Sequence, residues 1–123
     1  MKILIPVLTG EEDEDEFLEE VKKEEPDKVI LLNIVKREEV EDVPAGYAGT
    51  KIKESEEIME KIKKQLPSKI EVEENIEWGD VKKKIKVIAK IKNIDKVILN
   101  KTEHSKEIEE ELKDLDINIR IIN

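Results

Sequence analysis

The sequence predicts an α/β fold in which a doubly wound, five-stranded parallel sheet carries helices on both faces. Three observations point there. The short apolar runs Lys2–Leu8, Val29–Val35 and Val97–Leu99 show no polar alternation, as in strands covered on both sides. Between them lie segments whose apolar residues recur every three or four positions, the helical period. The two kinds of segment also alternate along the chain, which is the pattern of βαβ units joined by right-handed crossovers.

The elements follow in order. Lys2-Ile3-Leu4-Ile5-Pro6-Val7-Leu8 is the first strand, with Pro6 near its end because proline offers no N–H to a ladder. Thr9-Gly10-Glu11-Glu12 has the Thr-x-x-Glu spacing of a capping box, which predicts a helix over Glu11–Glu25. Phe17, Leu18 and Val21 form its inner face, acidic residues 11–16 load its start, Lys22 and Lys23 its end, and Pro26 stops it. Val29–Val35 is a second buried strand. Lys36–Thr50, with Pro44-Ala45-Gly46-Tyr47-Ala48-Gly49, reads as a loop. Ile52, Ile58, Met59, Ile62 and Leu66 mark a second helix that ends before Pro67. Lys69–Ile76 reads as a half-exposed edge strand, broken by Trp78-Gly79. Asp80 is the expected N-cap of a third helix with Val81, Ile85, Ile88 and Ala89 inward. Lys96–Asn100 is a buried strand that runs without a glycine into a helix over Lys106–Lys113, and Ile117–Ile122 is the fifth strand.

Residues 1–123 are enough for one domain around one core. Charged residues make up 45% and aromatics 2%, so Ile, Val and Leu must build that core. An intrinsically disordered acidic chain is excluded because the apolar residues fall in periodic blocks. The aliphatic, Lys/Glu-heavy balance resembles that of hyperthermophile proteins, in which ion-pair networks carry more weight. A net charge of −9 argues against nucleic acid as a partner, since phosphate binding needs a basic face. No apolar run approaches a membrane span, and a strand pattern at the N-terminus predicts no secretory leader, so the expected setting is cytoplasmic. The lack of cysteine excludes thiol chemistry, and a single histidine, His104, excludes a His-rich metal site.

Several scaffold stretches together resemble the universal stress protein (UspA-like) family: Lys2–Val7, Val29–Val35, Gly79-Asp80-Val81 with Ile85 and Ala89, and Asp95–Leu99. The resemblance covers nearly the whole chain. It implies an adenine-nucleotide α-hydrolase-like sheet in the order 3-2-1-4-5 and a homodimer through the last strand, placing Ile117, Ile119 and Ile121 at the interface. Some members bind ATP between strands one and four. By resemblance, Val7, Leu8, Ile34, Leu99, Lys101, Thr102 and Ser105 are the candidate nucleotide-binding positions. The ATP-binding members have an acidic residue where Leu8 stands, and a glycine-rich loop followed by Gly-Ser at a helix start. Here Asn100 and Glu103 fall near the glycine positions, His104-Ser105 replaces Gly-Ser, and only Ser105 matches. Glycine matters at such a loop because backbone N–H groups must approach phosphates with no Cβ in the way.

Other residues invite sharper readings. His104 lies beside Thr102, Glu103 and Ser105, yet consecutive residues on a tight turn diverge, so no catalytic triad is expected and Thr102 or Ser105 is read as a helix cap. The acidic run 11–16 suits Mg²⁺ or Ca²⁺ chemically but lacks EF-hand spacing, so no metal site is expected. Lys82, Lys83, Lys84, Lys86, Lys90 and Lys92 make the third helix basic, a solvated face or a guide for docking. Trp78 reads as a lid on the core edge. Alternation of Ile117, Ile119 and Ile121 with Asn118 and Arg120 makes an apolar face at a sheet edge, which invites pairing. The function expected is a non-enzymatic, dimeric, universal-stress-like interaction or stress-response module without cofactor and with an unknown protein partner. The alternative is an ATP- or AMP-binding member with a rebuilt phosphate loop at Lys101–Ser105. Walker A and adenylyl-transfer motifs are absent, so an enzyme of a related fold has least support.

Overall fold

The computed structural model describes residues 1–35 and 47–122. Its elements are β1 (Lys2–Pro6), α1 (Asp15–Lys23), β2 (Lys28–Val35), α2 (Tyr47–Gln65), β3 (Glu71–Trp78), α3 (Val81–Ile91), β4 (Lys96–Asn100), α4 (Ser105–Leu112) and β5 (Asn118–Ile122). The strands form one parallel sheet in the order β3-β2-β1-β4-β5. The chain steps outward from β1 to β3, then crosses to β4 on the other side of β1. With crossovers of constant hand, that reversal moves the later helices to the opposite face.

The central strands show why the apolar runs are unbroken. Ile3, Ile5, Val29, Leu31 and Ile98 point to one face, where Phe17, Leu18 and Val21 of α1 and Met59 and Ile62 of α2 cover them. Leu4, Ile30, Leu32, Val97 and Leu99 point to the other, under Ile85, Ile88 and Ala89 of α3 and Ile108 and Leu112 of α4. Both sets are buried, and each such side chain contributes about 1.5–3 kcal/mol of burial. On the outer strand β3, only Val72 and Ile76 pack on the α1/α2 side. Charge is woven across the edges. Glu73 receives Lys28 at 3.1 Å, Lys92 at 2.9 Å and the Asn75 amide at 2.7 Å, while Arg120 of β5 pairs with Glu20 of α1 and with Glu24, the residue that follows α1.

Four sequence expectations change. The first helix begins at Asp15, not Glu11, and ends at Lys23, because Glu12 turns inward and Glu25 adopts a left-handed conformation (φ 49°) before Pro26. Tyr47, Ala48 and Gly49 belong to α2, not to a loop. The rest of the expected loop, 36–46, lies outside the described residues. Trp78 is the last residue of β3, paired with Val35, and the break comes at Gly79, whose φ of 137° suits only glycine. The Trp78 side chain is 43% exposed, so it is no lid. Asp80 caps α3 as expected, accepting the Lys83 N–H at 3.1 Å.

Candidate functional site

Parallel strands end together, so the carboxyl ends of β1, β2 and β4 and the starts of α3 and α4 meet at one rim, where open α/β sheets bind ligands. A cleft of about 730 Å³ opens there. Its apolar floor comes from Val7, Leu8, Ile34, Ile58, Val81 and Ile108, and its polar wall from Asn33, Glu54, Asp80, Lys82, Glu103, His104 and Glu107.

The loop after β1 is held by an internal anion. Glu12 is wholly buried, and its carboxylate accepts the N–H groups of Leu8, Thr9 and Gly10 and the Thr9 hydroxyl, each at 3.0 Å. The Thr-x-x-Glu spacing is therefore real as a contact, but it closes a loop and caps no helix. The N-cap residue of α1, Glu14, makes no side-chain cap. The Thr9 oxygen also accepts the Glu11 N–H and the Asn100 side-chain amide, each at 3.1 Å, which ties this loop to the end of β4.

The turn after β4 is tied in the same manner. The Lys101 N–H donates to the Ile122 carbonyl at 2.7 Å, that of Thr102 to the Ser105 hydroxyl at 2.9 Å and that of His104 to the Thr102 hydroxyl at 3.2 Å. Ser105 and Thr102 thus brace the turn, while the N-cap residue of α4, His104, makes no side-chain cap. The His104 ring lies 3.3 Å from Glu103 and 3.4 Å from Glu107.

No family sequence model matches the chain, and no curated protein matches its sequence. Solved structures do. The structure of the hypothetical protein MJ0577, described as a structure-based assignment of its biochemical function, is 25% identical with a TM-score of 0.78; the match covers 98% of this chain and 94% of that one. Universal stress protein UspA from Lactobacillus plantarum matches over 100% of this chain and 97% of its own at 17% identity and a TM-score of 0.66. A universal stress protein family member from Burkholderia pseudomallei matches over 98% and 94% at 12% identity and a TM-score of 0.68. The fold is that of the universal stress proteins. The strand order of the sheet agrees with what the sequence resemblance implies for this UspA-like fold.

On this universal stress fold the candidate residues separate into two groups. Val7, Leu8, Ile34 and Thr102 line the cleft. Leu99, Lys101 and Ser105 do not: Leu99 is wholly buried against α3 and α4, Lys101 is exposed away from the cleft, and Ser105 is buried with its hydroxyl engaged by Thr102. Ile119 and Ile121 of β5, and Ile117 just before it, are half-buried and lean on the α3/α4 side of the core. Sequence reading missed one residue of the site and misassigned another beside it. Asn33 is buried on β2 at the cleft, and the one polar residue inside an apolar strand was its signal. Glu12 had its signal in the Thr9-x-x-Glu12 spacing, but that spacing suggested a helix cap, and its burial under the loop after β1 shows only in the fold.

Proposed function

We propose that this protein is a non-enzymatic stress-response protein of the universal stress type, acting in the cytoplasm as a homodimeric interaction module whose cleft takes no ATP. The observation that carries this reading is the use of the backbone donors at the rim. A polyphosphate needs free N–H groups, and those of residues 8–10, 101, 102 and 104 already serve Glu12, Ile122, Ser105 and Thr102. No glycine stands between Leu99 and Ser105 to let a phosphate closer. Leu8 supplies no polar group where β1 ends.

Thermal shift with ATP and with AMP, each with and without Mg²⁺, tests it. No stabilisation is expected. A site filled a hundredfold beyond its dissociation constant would add about 2.7 kcal/mol, and a shift of that size would replace this reading with a nucleotide-binding one. The existence of a cleft at the β1/β4 switch, with Thr102 on its wall, is what favours that second reading.

The outer edge of β5 pairs with no strand among the described residues, and Ile119 and Ile121 remain partly open beside it, which supports a dimer through this strand. Sedimentation at micromolar concentration is expected to give a dimer, and a monomer would remove the proposal. The ion pairs that join β3 and β5 to neighbouring elements support a thermophilic source.

A further inference from the structure

We infer that a second copy of this chain docks beside β3, the outer stripe of α3 on one copy entering the groove between α2 and β3 on the other. The contact lies at the opposite end of the sheet from β5 and goes beyond the dimer proposed there.

The stripe is the first ground. Lys83, Val87, Lys90 and Ile91 are all exposed and recur at i, i+4, i+7 and i+8, so they share one face of α3 over about 12 Å. Ile91 is 66% and Val87 44% exposed, although the helix already buries Ile85, Ile88 and Ala89 on its inner side. Adjacent apolar side chains left in solvent mark contact surfaces where scattered ones do not. Here the aliphatic pair is flanked by two ammonium groups.

The groove is the second and independent ground. It has a volume of about 590 Å³, a floor from Met59 and Ile76, and a border of Glu56, Glu57, Glu60 and Glu74, with Lys53 the one cation among its described lining residues. An occupant must bring aliphatic side chains with positive charge beside them, which is the composition of the α3 stripe. Lysine stems add apolar cover while their ammonium groups reach the carboxylates.

Topology lets both surfaces serve at once. Helix α2 packs on β2 and β3 from one face of the sheet and α3 packs on β2 from the other. A two-fold axis alongside β3 therefore brings the α3 of each copy against the α2 of its partner, and the contact closes. Backbone pairing between two β3 edges is disfavoured, because Glu71, Glu73, Glu74 and Glu77 would stand along both. The net charge of −9 opposes approach at long range, so the contact is weak and depends on the local match.

Charge reversal of the whole chain tests this. At about 0.5 mM, high enough to populate a weak contact, the parent is expected to sediment at twice the mass of Lys83→Glu/Lys90→Glu and of Glu57→Lys/Glu60→Lys. That means tetramer against dimer if β5 pairs, and dimer against monomer if it does not, so failure of the β5 dimer is read separately. An equal mixture of the two variants restores both matches and is expected to regain the parent's mass. Because the chain has no cysteine, Val87→Cys mixed with Glu60→Cys is expected to give a mixed disulfide under mild oxidation, and Val87→Cys with the exposed α1 change Glu19→Cys is not. Equal masses for parent and variants, a mixture that stays apart, or equal trapping by the α1 control would each overturn the proposal. So would association lost in the lysine variant and kept in the groove variant, which would mean that the stripe meets some other acidic surface.

Discussion

Replacing Glu12 by alanine should destabilise this protein far more than any other change in its acidic stretch 11–16. The carboxylate is wholly buried and accepts four donors at 3.0 Å, three of them backbone N–H groups. Each hydrogen bond to a charged group contributes about 1.5–3 kcal/mol net. The four are not additive, because Thr9 and Gly10 are exposed and water replaces part of what they lose. The Leu8 N–H is less open, and its loss plus one other gives an expected cost of about 2–4 kcal/mol. In urea, with a slope of about 2 kcal/mol/M, the midpoint falls by about 1–2 M while the slope stays constant. Glu12→Gln should fall between, since its –NH₂ is set against an N–H donor in the same loop. The neighbouring exposed changes Glu11→Ala and Glu14→Ala serve as references within about 0.5 kcal/mol of the parent. If Glu12→Ala matches those references, the carboxylate does not hold the loop, and the account of why residues 8–10 offer no free anion donors fails with it.

Two further perturbations address the edges of the sheet. Hydrogen bonds from Asn75 and then Lys92, with Lys28 beside them, hold the Glu73 carboxyl down from its ordinary 4.5 to about 2. A depressed folded-state value means that its contribution is full above pH 4.5 and is lost as pH falls through about 2. Glu73→Gln should therefore cost about 1–2 kcal/mol at neutral pH after solvent screening and flatten the stability curve over that acid interval. Urea midpoints measured from pH 7 to pH 2 check this, and parallel curves for parent and variant would refute it. Asp80→Ala removes the cap of α3 and should cost about 1 kcal/mol, with Asp80→Ser or Asp80→Asn restoring most of it; equal loss in all three would mean that the cap bond to Lys83 contributes nothing.

Much of this fold was legible in the chain because its signals are local. Ile3-Leu4-Ile5 and Val29–Leu32 read as strands covered on both faces, and α1 and α2 do cover one face while α3 and α4 cover the other. Asp80 after Gly79 announced the start of α3. The candidate site was legible only in part. Val7, Leu8, Ile34 and Thr102 reach the cleft, whereas Ser105 turns its hydroxyl into its own loop and Leu99 into the core. Strand parity and turn closure decide such directions, and a one-residue change of phase reverses them.

The sequence by itself determined the elements, their apolar faces and the acidic balance of the molecule, because periodicity, capping residues and charge act over a few neighbours. Tertiary structure alone decided that one of six adjacent acids is buried and that a strand asparagine lies open to a cleft. It also decided that the backbone donors of residues 8–10, 101, 102 and 104 at the sheet's rim are already occupied. Those outcomes depend on which groups from β1, β2, β4 and their loops arrive at the same place. Desolvation then selects, among chemically equivalent side chains, the one that can satisfy every donor it meets.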